Sequence, residues 1–322
     1  MKVYISVLSI LLILSLGVIS TAGAVEKPLI VGLLKPDKVI VPFAVFQNNQ
    51  WKNPWPRPKY YETSPSNTVT GLAAPWFKRY IGNVSTWYLW GDGFQGTKLS
   101  AGKIVKTASH CGEEDVWGIA VTNALSSKVE VESRDKIGAV FCKQVTVSPF
   151  QKISASKSLE ALIKPIFDKQ EAKAIAAPKK DSYSYSFQQL FPKEANQRTS
   201  KNLNIATVYK AILPGSKDAI EYVIAERYYD NPRGSDCKLI SYWVGWIFVG
   251  ATSRVIQSDF TLTNCDHQYV PSADPFAIAT VQGKSFIVVQ ENGYESESYT
   301  IYSLDGKISK LREAISTYGG GC

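Results

Sequence analysis

The residues of this chain that could do chemistry fall into a few short clusters. The first is Ser109-His110-Cys111-Gly112-Glu113-Glu114-Asp115, where an imidazole, a thiol and three carboxylates lie close in sequence. A cysteine nucleophile needs a free thiol beside a spatially close base. Neighbours on a strand point to opposite faces, so His110 and Cys111 are not expected to meet there. The second is Asn264-Cys265-Asp266-His267-Gln268, which holds the only other histidine. An Asp–His pair could serve a distant serine, but no G-x-S-x-G elbow occurs in the chain. A polar loop after a half-cystine is the plainer reading.

A third cluster is acidic: Glu291, Glu295 and Glu297 around Asn292-Gly293. Paired carboxylates can hydrolyse glycosides or bind calcium. Two Glu at i and i+2 on a strand more often form a solvated face, and no calcium loop of the D-x-[DN]-x-[DN]-G type is present. The fourth cluster is aromatic. Trp51, Trp55, Tyr60, Tyr61, Trp76, Trp87, Tyr88 and Trp90 crowd one stretch of the chain, with prolines between several of them. Aromatic faces beside polar groups suit sugars and peptides. Trp51, Trp55, Trp87 and Trp90 are therefore the expected ligand contacts, and capping of strand ends is the competing explanation. Gly91-Asp92-Gly93-Phe94-Gln95-Gly96 matches G-x-G-x-x-G by letter. No helix pattern follows it, so it reads as a glycine-rich turn rather than a dinucleotide site. P-loop, H-E-x-x-H and zinc-finger spacings are absent. Neither a cofactor nor a metal is expected.

The elements that would position these residues read as mainly β. Eight Trp, 17 Tyr and 13 Phe stand against one Met, a composition that favours strands. Apolar runs at Leu29–Leu34 and Val39–Phe46 flank the turn signal Lys35-Pro36-Asp37-Lys38. Pro42 assigns the second run to an edge or a bulge. Short runs follow at 86–90, 103–107, 116–122, 128–132 and 137–147. Residues 151–200 break the pattern: 156–175 has helical spacing with Ser156 as its cap, and a polar stretch follows. Strands resume at 205–213, 219–229, 239–249, 255–262, 285–290 and 294–302, the last two joined by Asn292-Gly293.

This pattern predicts an antiparallel, propeller-like arrangement, with a β-sandwich or two β domains as the alternative. The expected divisions are residues 1–24, 25–150, 151–200 and 201–322. The first is a signal peptide: Lys2, an apolar run to Ile19, then Ala22-Gly23-Ala24. Its removal leaves about 300 residues, room for one large β domain or two smaller ones. The apolar run is short of the about 20 residues a spanning helix needs, and no second long run follows it. Export to the periplasm or the extracellular space makes disulfides the default. Proximity pairs Cys111 with Cys142 and Cys237 with Cys265, leaving Cys322. A net charge of +8 suits anionic surfaces. Its spread along the chain argues against nucleic acid. The sequence thus predicts a non-enzymatic exported binding protein for a glycan, peptide or cell-envelope component. An exported hydrolase of glycans or esters, using carboxylates such as Glu295 or Glu297, is the alternative.

Overall fold

The computed structural model describes residues 27–52, 81, 84–108, 115–123, 137–177, 185–267, 270–293, 296–305 and 308–321. The expected signal peptide, Trp55, His110, Cys111, Glu295 and Cys322 lie outside them.

Antiparallel β-sheet dominates. Strands β1 (Leu29–Leu34) and β2 (Val39–Gln47) form the expected hairpin, closed by the Lys38 amide on the Lys35 carbonyl at 3.0 Å. Both are buried on both faces, because alternate side chains enter two different cores. Leu29, Val31 and Leu33 face one, Ile30 and Leu34 the other. Pro42 sits where the β1–β2 register shifts, the bulge it was expected to need. With β3 (Gln50–Lys52), β4 (Thr86–Gly91), β5 (Phe94–Ala108), β6 (Asp115–Val121) and β7 (Gly138–Phe141) they make a seven-stranded sheet in the order β1-β7-β4-β5-β6-β2-β3. Because β1 also pairs with β2, the path of pairing returns on itself. It encloses Ile30, Trp87, Leu89, Leu99 and Val140. Full burial of a side chain of this kind contributes roughly 1.5–3 kcal/mol.

Two four-stranded meanders follow. The outer sheet holds β10 (Asn204–Ile212), β11 (Ala219–Tyr229), β12 (Leu239–Val249) and β13 (Arg254–Asn264). The central sheet holds β14 (Ser272–Val281), β15 (Lys284–Asn292), β16 (Ser296–Leu304) and β17 (Leu311–Gly321). A short linking run threads both. Strand β8 (Thr146–Pro149) adds to β14, β9 (Gln151–Lys152) adds to β10, and the single residue between them, Phe150, is buried. One face of the central sheet packs Phe276, Phe286, Val288 and Ile301 against the N-terminal sheet. Its other face packs Ile278, Ile287 and Val289 against Tyr222, Tyr242 and Trp246 of the outer sheet. The meanders have the blade-like form of the propeller expectation, while the self-returning N-terminal sheet has another design. The pairing establishes antiparallel sheets and not a set of blades.

Helix α1 (Lys157–Ala176) covers the far face of the outer sheet. Ser156 caps it, accepting the Leu159 amide at 3.2 Å. Its buried stripe is Leu159, Ile163, Phe167, Glu171 and Ile175, an i, i+4 series. Pro165 lies on the exposed side, where water can take the carbonyl its ring frees. Glu171 in that apolar stripe meets Arg227 from β11 at 2.5 Å and the Tyr229 hydroxyl at 2.6 Å, while Arg227 also reaches Asp168 at 2.7 Å. Two short helices, α2 (Tyr185–Gln188) and α3 (Ala195–Thr199), complete the 151–200 excursion. Gly245 is required on β12, because the Trp243 ring lies 2.1 Å from where a Cβ would stand.

The cysteine expectations divide. Cys237 and Cys265 form a disulfide, which ties the end of the β12–β13 pair where Leu239 faces Asn264. Cys142 is a free thiol, contrary to the expected pairing with Cys111. It follows β7, which lies between β1 and β4, and its Sγ accepts the Ile30 amide at 3.1 Å. That contact aims it at β1, and burial pushes its pKa up. The disulfide is compatible with an exported chain. No helix among the described residues is long and apolar enough to cross a membrane.

Candidate functional site

The site with the most chemistry is a cleft of about 330 Å³ between the outer and central sheets. Strands β11, β12 and β13 supply Tyr222, Val244–Trp246 and Gln257–Asp259 as one wall. The other wall is Pro271–Ala273, Glu291–Gly293, Ser296–Ser298 and Tyr302 of the central sheet. Ladder irregularities fall beside it, at Trp246/Ile247 on β12 and Glu297/Ser298 on β16. Bulges increase local twist, and here they mark where the two sheets part.

Side chains in the cleft are fixed by one another. Glu291 accepts the Tyr302 hydroxyl on Oε1, and on Oε2 the hydroxyls of Thr300 at 2.9 Å and Ser298 at 3.4 Å. Glu297 is buried, contrary to the solvated face expected for it. Its Oε1 accepts the Tyr299 hydroxyl at 2.5 Å and its Oε2 accepts Gln290 Nε2 at 3.0 Å. Gln290 also donates to Asn292 Oδ1 at 2.8 Å, and Asn292 donates to Asp274 at 3.1 Å. Burial pushes the Tyr302 hydroxyl far above its ordinary value, and the Glu291 carboxylate adds to this. Burial likewise pushes Tyr222 well up, aided by Tyr242, Asp274 and Glu291. These phenols are therefore neutral donors. Ring centroids of Tyr222 and Trp246 lie 4.8 Å apart at 50°, those of Trp246 and Tyr302 6.5 Å apart at 56°. The cleft thus combines three tilted aromatic rings with the carboxylates of Asp259 and Glu291, while the Glu297 carboxylate turns to Tyr299 and Gln290 on the opposite face of the central sheet; among the described residues no Lys, Arg or His lines the cleft.

Of the tryptophans expected to contact ligand, Trp55 falls outside the described residues, and Trp51, Trp87 and Trp90 lie away from the cleft. Trp87 is 0% exposed inside the N-terminal sheet, so it has no face to offer a ligand. Its strand alternates inward at Trp87 and Leu89, and the indole fills the enclosed core. Trp51 is half-buried and packs on Phe46 at 5.0 Å and Phe286 at 5.3 Å, joining the N-terminal and central sheets. Trp90 is half-buried against the same core and lies over Gly96. Gly93 and Gly96 have positive φ, with β5 and not a helix running on from Gly93. His267 sits in the loop after Cys265, its Nδ1 3.2 Å from the Cys265 carbonyl and its Nε2 3.4 Å from Glu226.

Of the acidic cluster singled out in the sequence, Glu291 turns its carboxylate to the cleft, while Glu297 borders it and bonds Tyr299 and Gln290 on the other face of the sheet. Tyr222, Trp246, Asp259 and Tyr302 escaped sequence reasoning. They arrive from four strands, and only sheet register brings them together. Among the described residues, no group of three or more His, Cys, Asp or Glu is placed to hold a metal ion. No family model, no curated protein and no solved structure matches the chain.

Proposed function

We propose that this is an exported binding protein, released from residues 1–24, that holds its ligand in the cleft between the outer and central sheets. One observation carries the reading: the 330 Å³ cavity joins tilted aromatic rings to a few anchored polar groups. Ligand sites of about 300–1,000 Å³ have that make-up. The partner is a glycan, a peptide or another cell-envelope component.

A hydrolase is the second reading, suggested by Glu291 and Glu297 lying close at one end of the central sheet, although the Glu297 carboxylate bonds Tyr299 and Gln290 on the face turned toward the N-terminal sheet. Against it, all four of their carboxylate oxygens already accept a hydrogen bond. That is the arrangement of fixed acceptors, not of a carboxyl presenting a proton to a leaving group.

Glycan and peptide arrays probed with oxidised residues 25–322, read for binding and cleavage together, test both readings. Binding without turnover, abolished by the rim variant Asp259→Lys in a folded protein, is the expected result. Binding that Asp259→Lys leaves intact removes the cleft from the proposal. Cleavage lost on Glu297→Gln replaces it with the hydrolase.

A further inference from the structure

We infer that the cleft receives the end of a neutral glycan chain and not an internal stretch of one; this rests on the reading that the cleft is the ligand site. The argument starts from how the cleft is closed. Past Trp246 the outer and central sheets meet through Phe248, Ile256, Leu304 and Ile308. Arg254 straps them together there. It donates to the Ile308 carbonyl at 3.1 Å, and its guanidinium lies 4.4 Å from the centre of the Phe248 ring. The turn that presents this carbonyl is itself held. The Ile308 amide donates to the Asp305 carbonyl at 2.9 Å, and the Ser309 amide and hydroxyl donate to the Asp305 carboxylate at 2.7 and 2.6 Å. Toward the β8–β9 edge, Phe150 lies 6.1 Å from the Trp246 ring. On the remaining inner side the Ala273 amide donates to the Tyr222 hydroxyl, and Tyr242 and Val270 pack in the same core.

Exposure marks the mouth. Tyr222, Val244 and Trp246 are buried, whereas Asp259 and Gly293 are the exposed lining residues among those described. A ligand entering beside Asp259 and Gly293 therefore stops at Trp246. An internal stretch of polymer needs a way out on both sides of the bound unit; a terminus needs only one.

The lining suits sugar. Gln257, Ser272, Ser296 and Ser298 can each donate and accept hydrogen bonds, as sugar hydroxyls do. Hydroxyls donating to Asp259 and Glu291 would form the stronger, charge-assisted kind. The half-buried Tyr302 ring, with Trp246 behind it, offers apolar surface to the C–H face of the same sugar. The carboxylate end of a peptide would instead meet two like charges and, among the described residues, no basic side chain.

A chain has one such end whatever its length, and this sets the test. Maltose, maltohexaose, α-cyclodextrin, chitobiose and chitohexaose are titrated calorimetrically into the oxidised full chain. One of the two linear series is expected to bind, with dimer and hexamer agreeing within about threefold in molar affinity. The cyclic α-cyclodextrin, which has no end, is expected not to bind. Asp259→Lys, shown to be folded by far-ultraviolet circular dichroism, is expected to abolish binding. A hexamer that binds about tenfold or more tightly than its dimer, or α-cyclodextrin binding as well as maltohexaose, overturns the chain-end inference. If Asp259→Lys still blocks that binding, the cleft stands as the ligand site. Binding that Asp259→Lys leaves intact overturns the inference and the cleft reading together. Failure of both series to bind overturns the inference, and the arrays then judge the cleft alone.

Discussion

Removing the Glu171 carboxylate tests how α1 is held to the wall of the cleft. Arg227 is 0% exposed and Glu171 1%, so this ion pair is shielded from water. In Glu171→Ala the guanidinium keeps Asp168 at 2.7 Å and its stacking over Phe167 at 4.9 Å, but loses its fully buried partner. The Tyr229 hydroxyl loses its acceptor at the same time. Breaking a buried pair by deleting one partner costs about 3–5 kcal/mol. Because Asp168 remains, the lower part of that range applies, and the orphaned hydroxyl adds about 1 kcal/mol. A loss of about 3–4 kcal/mol lowers the midpoint of thermal unfolding by roughly 5–7 °C for a chain of this size. Scanning fluorimetry of the oxidised protein reads this directly. The double variant Glu171→Leu with Arg227→Met replaces the pair by apolar groups of similar volume. It still leaves Arg198 and the Tyr229 hydroxyl without Glu171, so it is expected to lie about 1–2 kcal/mol below the parent and clearly above the single variant. A Glu171→Ala midpoint equal to the parent's would refute the reasoning. So would a double variant as unstable as the single, because the loss would then be one of packing rather than of an uncompensated charge.

Other expectations follow from the same structure. Trp87→Ala empties the enclosed core of the N-terminal sheet and should cost about 3–5 kcal/mol in denaturant unfolding without changing cleft affinity, whereas a ligand-contact role would reverse that pattern. Burial pushes the Asp168 carboxyl up, but Lys164 and Arg227 outweigh it and hold the group below its ordinary value. Its contribution is therefore full above the unfolded value of about 4 and fades as pH falls toward the lowered folded value; Asp168→Asn should flatten that acid limb of stability. Reducing the Cys237–Cys265 bridge should remove about 3 kcal/mol, read as a lower melting midpoint in dithiothreitol. Cys142 should resist alkylation in the native protein and react in urea, as mass mapping of the labelled peptide would report.

Much of the framework was legible in local pattern. The β1–β2 hairpin, the fully apolar β12, the Ser156 cap and the Asn292-Gly293 turn each carry their signal within about ten residues. Strands β14 and β17 do not. Ser272-Ala273-Asp274-Pro275 begins one of them, and Gly319-Gly320-Gly321 ends the other. They are strands because β15 and β16 offer them ladders, a tertiary cause that propensity cannot register. The same limit explains the cysteines. Spacing found the Cys237–Cys265 bridge, whose ends a hairpin brings together, and misled at Cys142, whose direction depends on where β7 inserts. Glu291 and Glu297 stood out as a local cluster, although the register turns them to opposite faces of the central sheet. Trp246 and Tyr222 looked like any strand aromatics, and Asp259 like any solvated charge, until register set them around one cavity.

The passage through Phe150 has a mechanical consequence. Within Pro149–Gln151 the chain leaves the edge of one cleft wall and joins the edge of the other, and Phe150 sits 6.1 Å from the Trp246 ring that lines the cavity. The two sheets are therefore joined at one edge like the covers of a book, with a one-residue spine close beside the cavity. Sliding one sheet along the other would tear that spine, whereas splaying them would only turn it. A rotation about Phe150 would widen the cleft most at the rim where Asp259 lies and least beside Trp246. The inner end would then keep its shape while the mouth changes width.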